Sequence, residues 1–174
     1  SPYRAARDTA RALHEQDPTL ILIPKHLMRL RQPIVHAARG FASARTVRRG
    51  SDVTLVAWGN GVEIAQAAAE ALADRVSGEI GDPVSLVPFD AEAVAAAVAR
   101  TGRLVVIDED ARTGCFGQTI VAELVGREER FAHFLSAPRL VARSDGHVPF
   151  HPDLEYAVLP DVARVTAAIE EAMR

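Results

Sequence analysis

The residues able to do chemistry are few and scattered along the chain. A single cysteine, Cys115, excludes an internal disulfide and any multi-cysteine zinc cage, and fits a reducing cytoplasm. A lone thiol becomes a nucleophile only where a base or a positive field lowers its pKa. No histidine stands near Cys115 in sequence, so a small buried residue in a turn is the favoured reading. Histidines fall at positions 14, 26, 36, 133, 147 and 151, and only His147 and His151 lie close together. With Asp153 they make a weak metal candidate in a proline-containing loop, because a metal site needs three or four converging ligands. Triads that converge only in space cannot be read from spacing, and from the residues alone catalysis is not visible.

Two glycine-containing turns could hold an anion. Gly59-Asn60-Gly61 lies between an apolar run and an Ala-rich helical stretch, where backbone amides attract anions. Its spacing lacks the G-x-G-x-x-G of a dinucleotide fingerprint, which favours a plain tight turn. Arg112-Thr113-Gly114-Cys115-Phe116-Gly117 also joins a strand to a helix, at the edge where doubly wound sheets bind ligands. It lacks the lysine and spacing of a P-loop. Packing of Phe116 between glycine-enabled turns is the plainer account, with a ligand role as the alternative.

The elements that position these groups follow from periodicity. Ala6, Ala10 and Leu13 recur at helical spacing from Tyr3 to about Gln16, and Asp17-Pro18 ends that helix. Thr19 to Ile23 is a short, continuously apolar run stopped by Pro24, as in a buried parallel strand. One helix and one strand cannot bury their own faces, so this piece must dock onto a sheet supplied elsewhere. The start at Ser1-Pro2-Tyr3 without methionine suggests a chain cut from something longer. The segment from about Lys25 to Gly50 is arginine-rich with weak periodicity, and is read as a connector with the domain boundary inside it.

Beyond Gly50 the pattern is regular. Strands are expected at Val53 to Ala57, near Ser77 to Gly81, at Leu104 to Ile107 and at Arg139 to Ala142. Helices are expected from Val62 to Leu72, from an Asp90 cap to about Arg100, from about Gln118 to Val125, and from Pro160 in the first turn to about Met173. Ser144 to Pro152 reads as an irregular loop. The fold class is α/β: a three-layer, open, mostly parallel sheet.

Composition agrees with a globular domain. Of 174 residues, 48% are apolar and 25% charged, and the 20 basic and 23 acidic residues are interspersed. No basic face is offered to nucleic acid, and no stretch approaches the roughly 20 apolar residues of a membrane span.

Read in order, Gly50 to Gly59, Pro88-Phe89-Asp90, Thr101 to Glu109, Arg112 to Gly117, Ala137-Pro138, Asp145, Leu154-Glu155 and Leu159-Pro160 form a series. The series resembles the C-terminal domain of the beta subunit of thiamine-diphosphate-dependent 2-oxoacid dehydrogenases, within the transketolase group. Ser1-Pro2-Tyr3, Asp17-Pro18 and Lys25 to Arg29 resemble the end of the preceding pyrimidine-binding domain, so the likeness covers essentially the whole chain. It implies residues 1–29 as a helix-strand remnant of that domain, 30–50 as linker, and 51–174 as a transketolase-like C-terminal domain.

The resemblance implies a non-catalytic assembly portion. Thiamine diphosphate with Mg belongs to the full assembly, the activating glutamate and active-site histidines lie upstream, and this chain alone is expected to hold neither. Implied partners are chains carrying the thiamine-diphosphate-binding and pyrimidine-binding domains, a two-fold mate, and a lipoyl domain or acyl carrier protein. Interface candidates are Glu109, Arg112, Thr113, Gly114, Phe116, Gly117, Asp145 and Pro160, with helix positions Ile64, Ala68 and Leu72 expected to pack the two-fold contact. The chain departs from the family pattern at Ile23-Pro24, Cys115, Thr119 and Ser136. Ile23, Pro24, Thr119 and Ser136 motivate a second reading, a split transketolase-like enzyme passing a two-carbon or acyl unit to a carrier-protein or lipoyl thiol. A third reading is a stand-alone binding module using the loops around Arg112 and His147.

Overall fold

The computed structural model describes residues 9–25 and 43–174. Its core is a five-stranded sheet in the order β1-β3-β2-β4-β5, formed by β1 (Arg45–Arg48), β2 (Val53–Ala57), β3 (Gly78–Asp82), β4 (Leu104–Ala111) and β5 (Arg139–Arg143). Only β1 is antiparallel to its neighbour, and β3, β2, β4 and β5 run parallel. The helices are α1 (Gly61–Ala71), α2 (Ala91–Thr101), α3 (Phe116–Val125), α4 (Glu128–Phe131), α5 (Pro152–Val158) and α6 (Val162–Ala172).

Strand β2 and the first five residues of β4 are continuously buried because both faces of the sheet are covered. Val53, Leu55 and Ala57 pack with Val105 and Ile107 against Ala65, Ala68 and Leu72 of the α1 segment and Val165 and Ile169 of α6. The alternate positions Val56, Leu104 and Val106 face the other way, onto Val94 and Val98 of α2 and Ile120 and Leu124 of α3. The period-2 alternation of a strand therefore feeds two cores. Alanines on α1 let it approach α6 closely, while Asp90 caps α2 by accepting from the Ala93 N–H at 3.1 Å. Its second oxygen accepts from Ala44 N–H at 2.9 Å and so ties the approach to β1 onto α2.

Several expectations change. The segment read as connector ends in a strand: Arg45–Arg48 pairs with β3. Its apolar content is low because it is an edge strand kept soluble by charge. Arg45 pairs with Asp82 at 2.9 Å and Arg48 with Glu70 at 3.1 Å. The weak β3 forms despite its glycines, since Gly78 and Gly81 sit between two strands and Glu79 is buried against Arg100. Strand β4 runs on to Ala111, and the short helices α4 and α5 lie in stretches for which the sequence reading named no element.

Pro160 precedes the helix and is not in its first turn, because Asp161 is the cap that accepts from Arg164 N–H at 2.7 Å. The helix face offered for a two-fold contact is spent internally. Ala68 and Leu72 are 0% and 1% exposed and Ile64 packs against the same cluster, so α6 covers them. At the N-terminus only 9–12 of the expected helix is helical among described residues. Thr19 to Ile23 makes no ladder: Leu20, Ile21, Leu22 and Ile23 are 84%, 42%, 72% and 63% exposed. A strand needs a neighbour's backbone, and the described sheet offers none to this run.

Candidate functional site

The candidate residues gather where β4 and β5 end, at the carboxyl edge of the parallel strands. Buried Asp108 organises this edge. One of its oxygens accepts from Gly117 N–H at 2.8 Å and the other from Asp110 N–H at 3.0 Å. Gly117 leaves room for its neighbours: a Cβ would lie 2.6 Å from Leu140 Cδ1, which would have to shift, and 3.3 Å from Asp108 Oδ2. The close approach seats α3 on β4. Next along the strand, Glu109 accepts from the Asn60 amide at 3.1 Å, which joins the β2–α1 turn to β4.

Across the edge, Thr113 donates to Asp145 twice, from its backbone N–H at 2.9 Å and its hydroxyl at 2.7 Å. Those two bonds, helped by the nearby Arg143 and Arg112 charges, hold the Asp145 carboxyl below the usual carboxylate range. Arg112 N–H donates to Arg143 C=O at 2.9 Å, and its guanidinium donates to Leu140 C=O at 3.1 Å. Gly114, at φ 80°, points its N–H at Gln118 Oε1 (3.1 Å). Phe116 makes edge-on contacts with Trp58 and Phe89, at centroid distances of 6.0 and 5.8 Å. Seven of the eight candidates thus share one cross-braced edge, while Pro160 stands apart, buried before α6.

The edge is cross-braced by hydrogen bonds, and its one thiol is buried. Cys115 is 2% exposed, and burial pushes its thiol up, with the Asp108 charge acting in the same direction. A protonated buried thiol is a poor nucleophile. His147, His151 and Asp153 do not form a metal site, and no group of three such side chains converges among the described residues. Instead His151 caps α5, accepting from Asp153 N–H at 3.3 Å.

Two contributors escaped the sequence reading. Asn60 looked like a turn residue, and nothing in its spacing pointed to Glu109. Arg164 reaches from α6 to the carbonyls of Val158, Leu159 and Ala142, a role set by tertiary position and carrying no local signal.

Comparison with known proteins places this geometry. Residues 42–165 match the model of the transketolase C-terminal domain. The beta subunit of acetoin:2,6-dichlorophenolindophenol oxidoreductase from Cupriavidus necator is 32% identical over 177 residues, covering 100% of this chain and 52% of that protein. The 2-oxoisovalerate dehydrogenase subunit beta of Pseudomonas aeruginosa is 31% identical over 193 residues, covering 99% of this chain and 53% of that one. A solved split-gene transketolase, an inactive beta4 tetramer, superposes with a TM-score of 0.67 at 26% identity over 81% of this chain and 46% of its own. The chain spans about half the length of the curated relatives it matches. No helix among the described residues is long and apolar enough to cross a membrane. The chain belongs to the transketolase C-terminal domain family.

Proposed function

We propose that this chain is the non-catalytic assembly portion of a thiamine-diphosphate-dependent 2-oxoacid dehydrogenase, acting as the end of its decarboxylating beta subunit in the cytoplasm. The observation that carries the reading is the exposed run Leu20 to Ile23 beside a sheet that is otherwise complete. Fully burying one such side chain is worth about 1.5–3 kcal/mol, so docking the run onto a partner's sheet supplies several kcal/mol. Residues 1–29 then complete a neighbouring pyrimidine-binding domain, the stretch from 30 to the start of β1 crosses between domains, and β1 onward forms the interface domain. Glu109, Arg112, Thr113, Gly114, Phe116, Gly117 and Asp145 present a braced edge toward that neighbour, and Pro160 shapes the corner beside it. Pro24 lies 3.6 Å from the Cβ position of Gly59, which brings the exposed run next to this edge.

Thiamine diphosphate with Mg does not fit the residues described here. Asn60 of the glycine turn is engaged with Glu109, Pro24 lies against the Gly59 end, and no converging acidic ligands accompany them. The cofactor and its chemistry belong to the partner chains, and no step is assigned to this one.

Co-purification with a polypeptide carrying the thiamine-diphosphate-binding and pyrimidine-binding domains tests the reading. A stable complex on gel filtration is expected, and Leu22→Asp should abolish it without unfolding residues 43–174. Failure to form the complex, or indifference to Leu22→Asp, sinks the proposal.

Similarity to a split-gene transketolase favours a second reading, in which the assembly moves a two-carbon or acyl unit to a carrier-protein or lipoyl thiol. Product analysis of the reconstituted complex with 2-oxoacids and with ketose phosphates separates the two.

A further inference from the structure

We propose that Ala44–Arg49, the segment carrying β1, is a strap fastened by charge that opens as one unit while the rest of the sheet stays folded. Burial does little to hold it. None of the four residues of β1 is fully buried, whereas β2, β3, β4 and β5 each bury two or more. Val47 is its one apolar residue and packs on the core from a partly buried position. The ladder to β3 is irregular at that same point, between Thr46 and Arg48.

Charge closes the strap instead. Arg45 pairs with Asp82 at 2.9 Å, Arg48 with Glu70 at 3.1 Å and Arg49 with buried Glu79 at 3.4 Å. In each pair at least one side chain is a third or more exposed, so each holds weakly. The closed position also leaves Arg45 Nε buried with no hydrogen-bond partner among the described residues, a cost that opening relieves.

Both ends of the strap are fixed points. Upstream, Ala44 N–H donates to the Asp90 oxygen that is not used in capping α2. Downstream, Gly50 lies against the backbone of Gly78, and Ser51 and Asp52 N–H donate to Ser77 C=O. Opening therefore begins at Asp90 and stops at Gly50. Glu79 keeps Arg100 at 2.5 Å when Arg49 leaves, so no bare carboxylate is stranded in the core. The six residues released add about 20 Å of chain at about 3.3 Å each. That length is slack between the exposed run Leu20 to Ile23 and this domain. The slack rests on the assembly reading above, and the opening does not.

Amide hydrogen exchange of the full chain, read on peptic peptides covering β1 and β2, tests the opening. The β1 amides should exchange about 100-fold or more faster than those of β2, yet about tenfold or more slower than an unstructured peptide. Raising salt from about 0.05 to about 1 M should speed β1 severalfold and leave β2 unchanged. Asp82→Asn keeps an acceptor for Val84 N–H while removing the charge that faces Arg45, and should speed β1 about threefold to fivefold. Equal exchange of β1 and β2, β1 exchange at the unstructured rate, or indifference to either salt or Asp82→Asn overturns the proposal. For the slack, Thr46→Cys with Gly81→Cys joins facing positions, and oxidation should slow β1 exchange toward that of β2. The oxidised form should bind the partner polypeptide about tenfold more weakly than the reduced form. Equal affinity removes the slack and leaves the opening intact, while failure of the assembly reading is seen separately, through Leu22→Asp.

Discussion

Gly50→Ala is the sharpest test of how the sheet is built. Gly50 lies between β1 and β2 at the point where the chain passes over β3, and a Cβ there would sit 2.2 Å from Gly78 C and 2.3 Å from Glu79 N. Both atoms are backbone, so no side chain can swing away. Relieving the clash from 2.2 Å to an ordinary contact requires the two segments to part by more than an ångström. Around Gly50, Ser51 and Asp52 N–H donate to Ser77 C=O at 3.0 and 2.9 Å, and Ser77 N–H donates to Asp52 at 2.8 Å. Loosening two or three such bonds at about 1 kcal/mol each, with overpacking of about 1–3 kcal/mol, gives a loss of roughly 3–6 kcal/mol. That is a large share of the roughly 5–15 kcal/mol of a typical domain. Urea unfolding followed by far-UV circular dichroism measures it. Gly61→Ala, whose Cβ would find its nearest neighbour at an ordinary 3.4 Å, serves as the control and should change stability by under about 1 kcal/mol. A Gly50→Ala protein within 1 kcal/mol of the parent would refute the close-approach argument.

Other outcomes follow from the site. Asp145→Asn should flatten the acid limb of stability. The native carboxyl is depressed below its unfolded value, so its contribution is present above about pH 3.8 and is lost as pH falls through the lower folded value; melting temperature against pH for both proteins checks this. Arg164→Met should cost about 1–3 kcal/mol by stranding the carbonyls of Val158, Leu159 and Ala142, read from chemical denaturation. Cys115 should resist iodoacetamide at neutral pH and react at the rate of a free thiol only in denaturant, because the folded thiol stays protonated and buried.

How much of this was legible follows from where the information lies. Strands β2 and β4 and helices α1, α2 and α6 announced themselves because a buried element writes its environment into a local period, as in Leu104 to Ile107 or the Asp90 cap. Strand β1 did not, because an edge strand is defined by a partner far away and by arginines whose carboxylates, Asp82 and Glu70, lie on other elements. Helix α5 has no buried residue and so leaves no apolar stripe to read. The edge loops were found as a motif, but their chemistry was not. The Thr113–Asp145 latch spans 32 residues, and the Asn60–Glu109 bond spans 49. The α1 face was misassigned for the same reason: Ala68 and Leu72 form a stripe whether the covering helix is α6 or another subunit.

These edges also constrain how the domain can associate. A sheet with a bare rim grows by accepting strands, and this one closes both rims with arginine. On one side Arg45 and Arg48 bind carboxylates along β1. On the other, Arg112 and Arg164 occupy alternate carbonyls of β5, the set left over because Arg143 C=O of the intervening register already bonds toward the β4 side through Arg112 N–H. Strand addition to this sheet is therefore disfavoured, and contacts must be made through side chains or by strands donated outward. The exposed run Leu20 to Ile23 offers the second. A sheet guarded at both rims, with an exposed apolar run outside it, is what the proposed docking onto a partner's sheet requires, and Leu22→Asp tests that contact without touching the sheet.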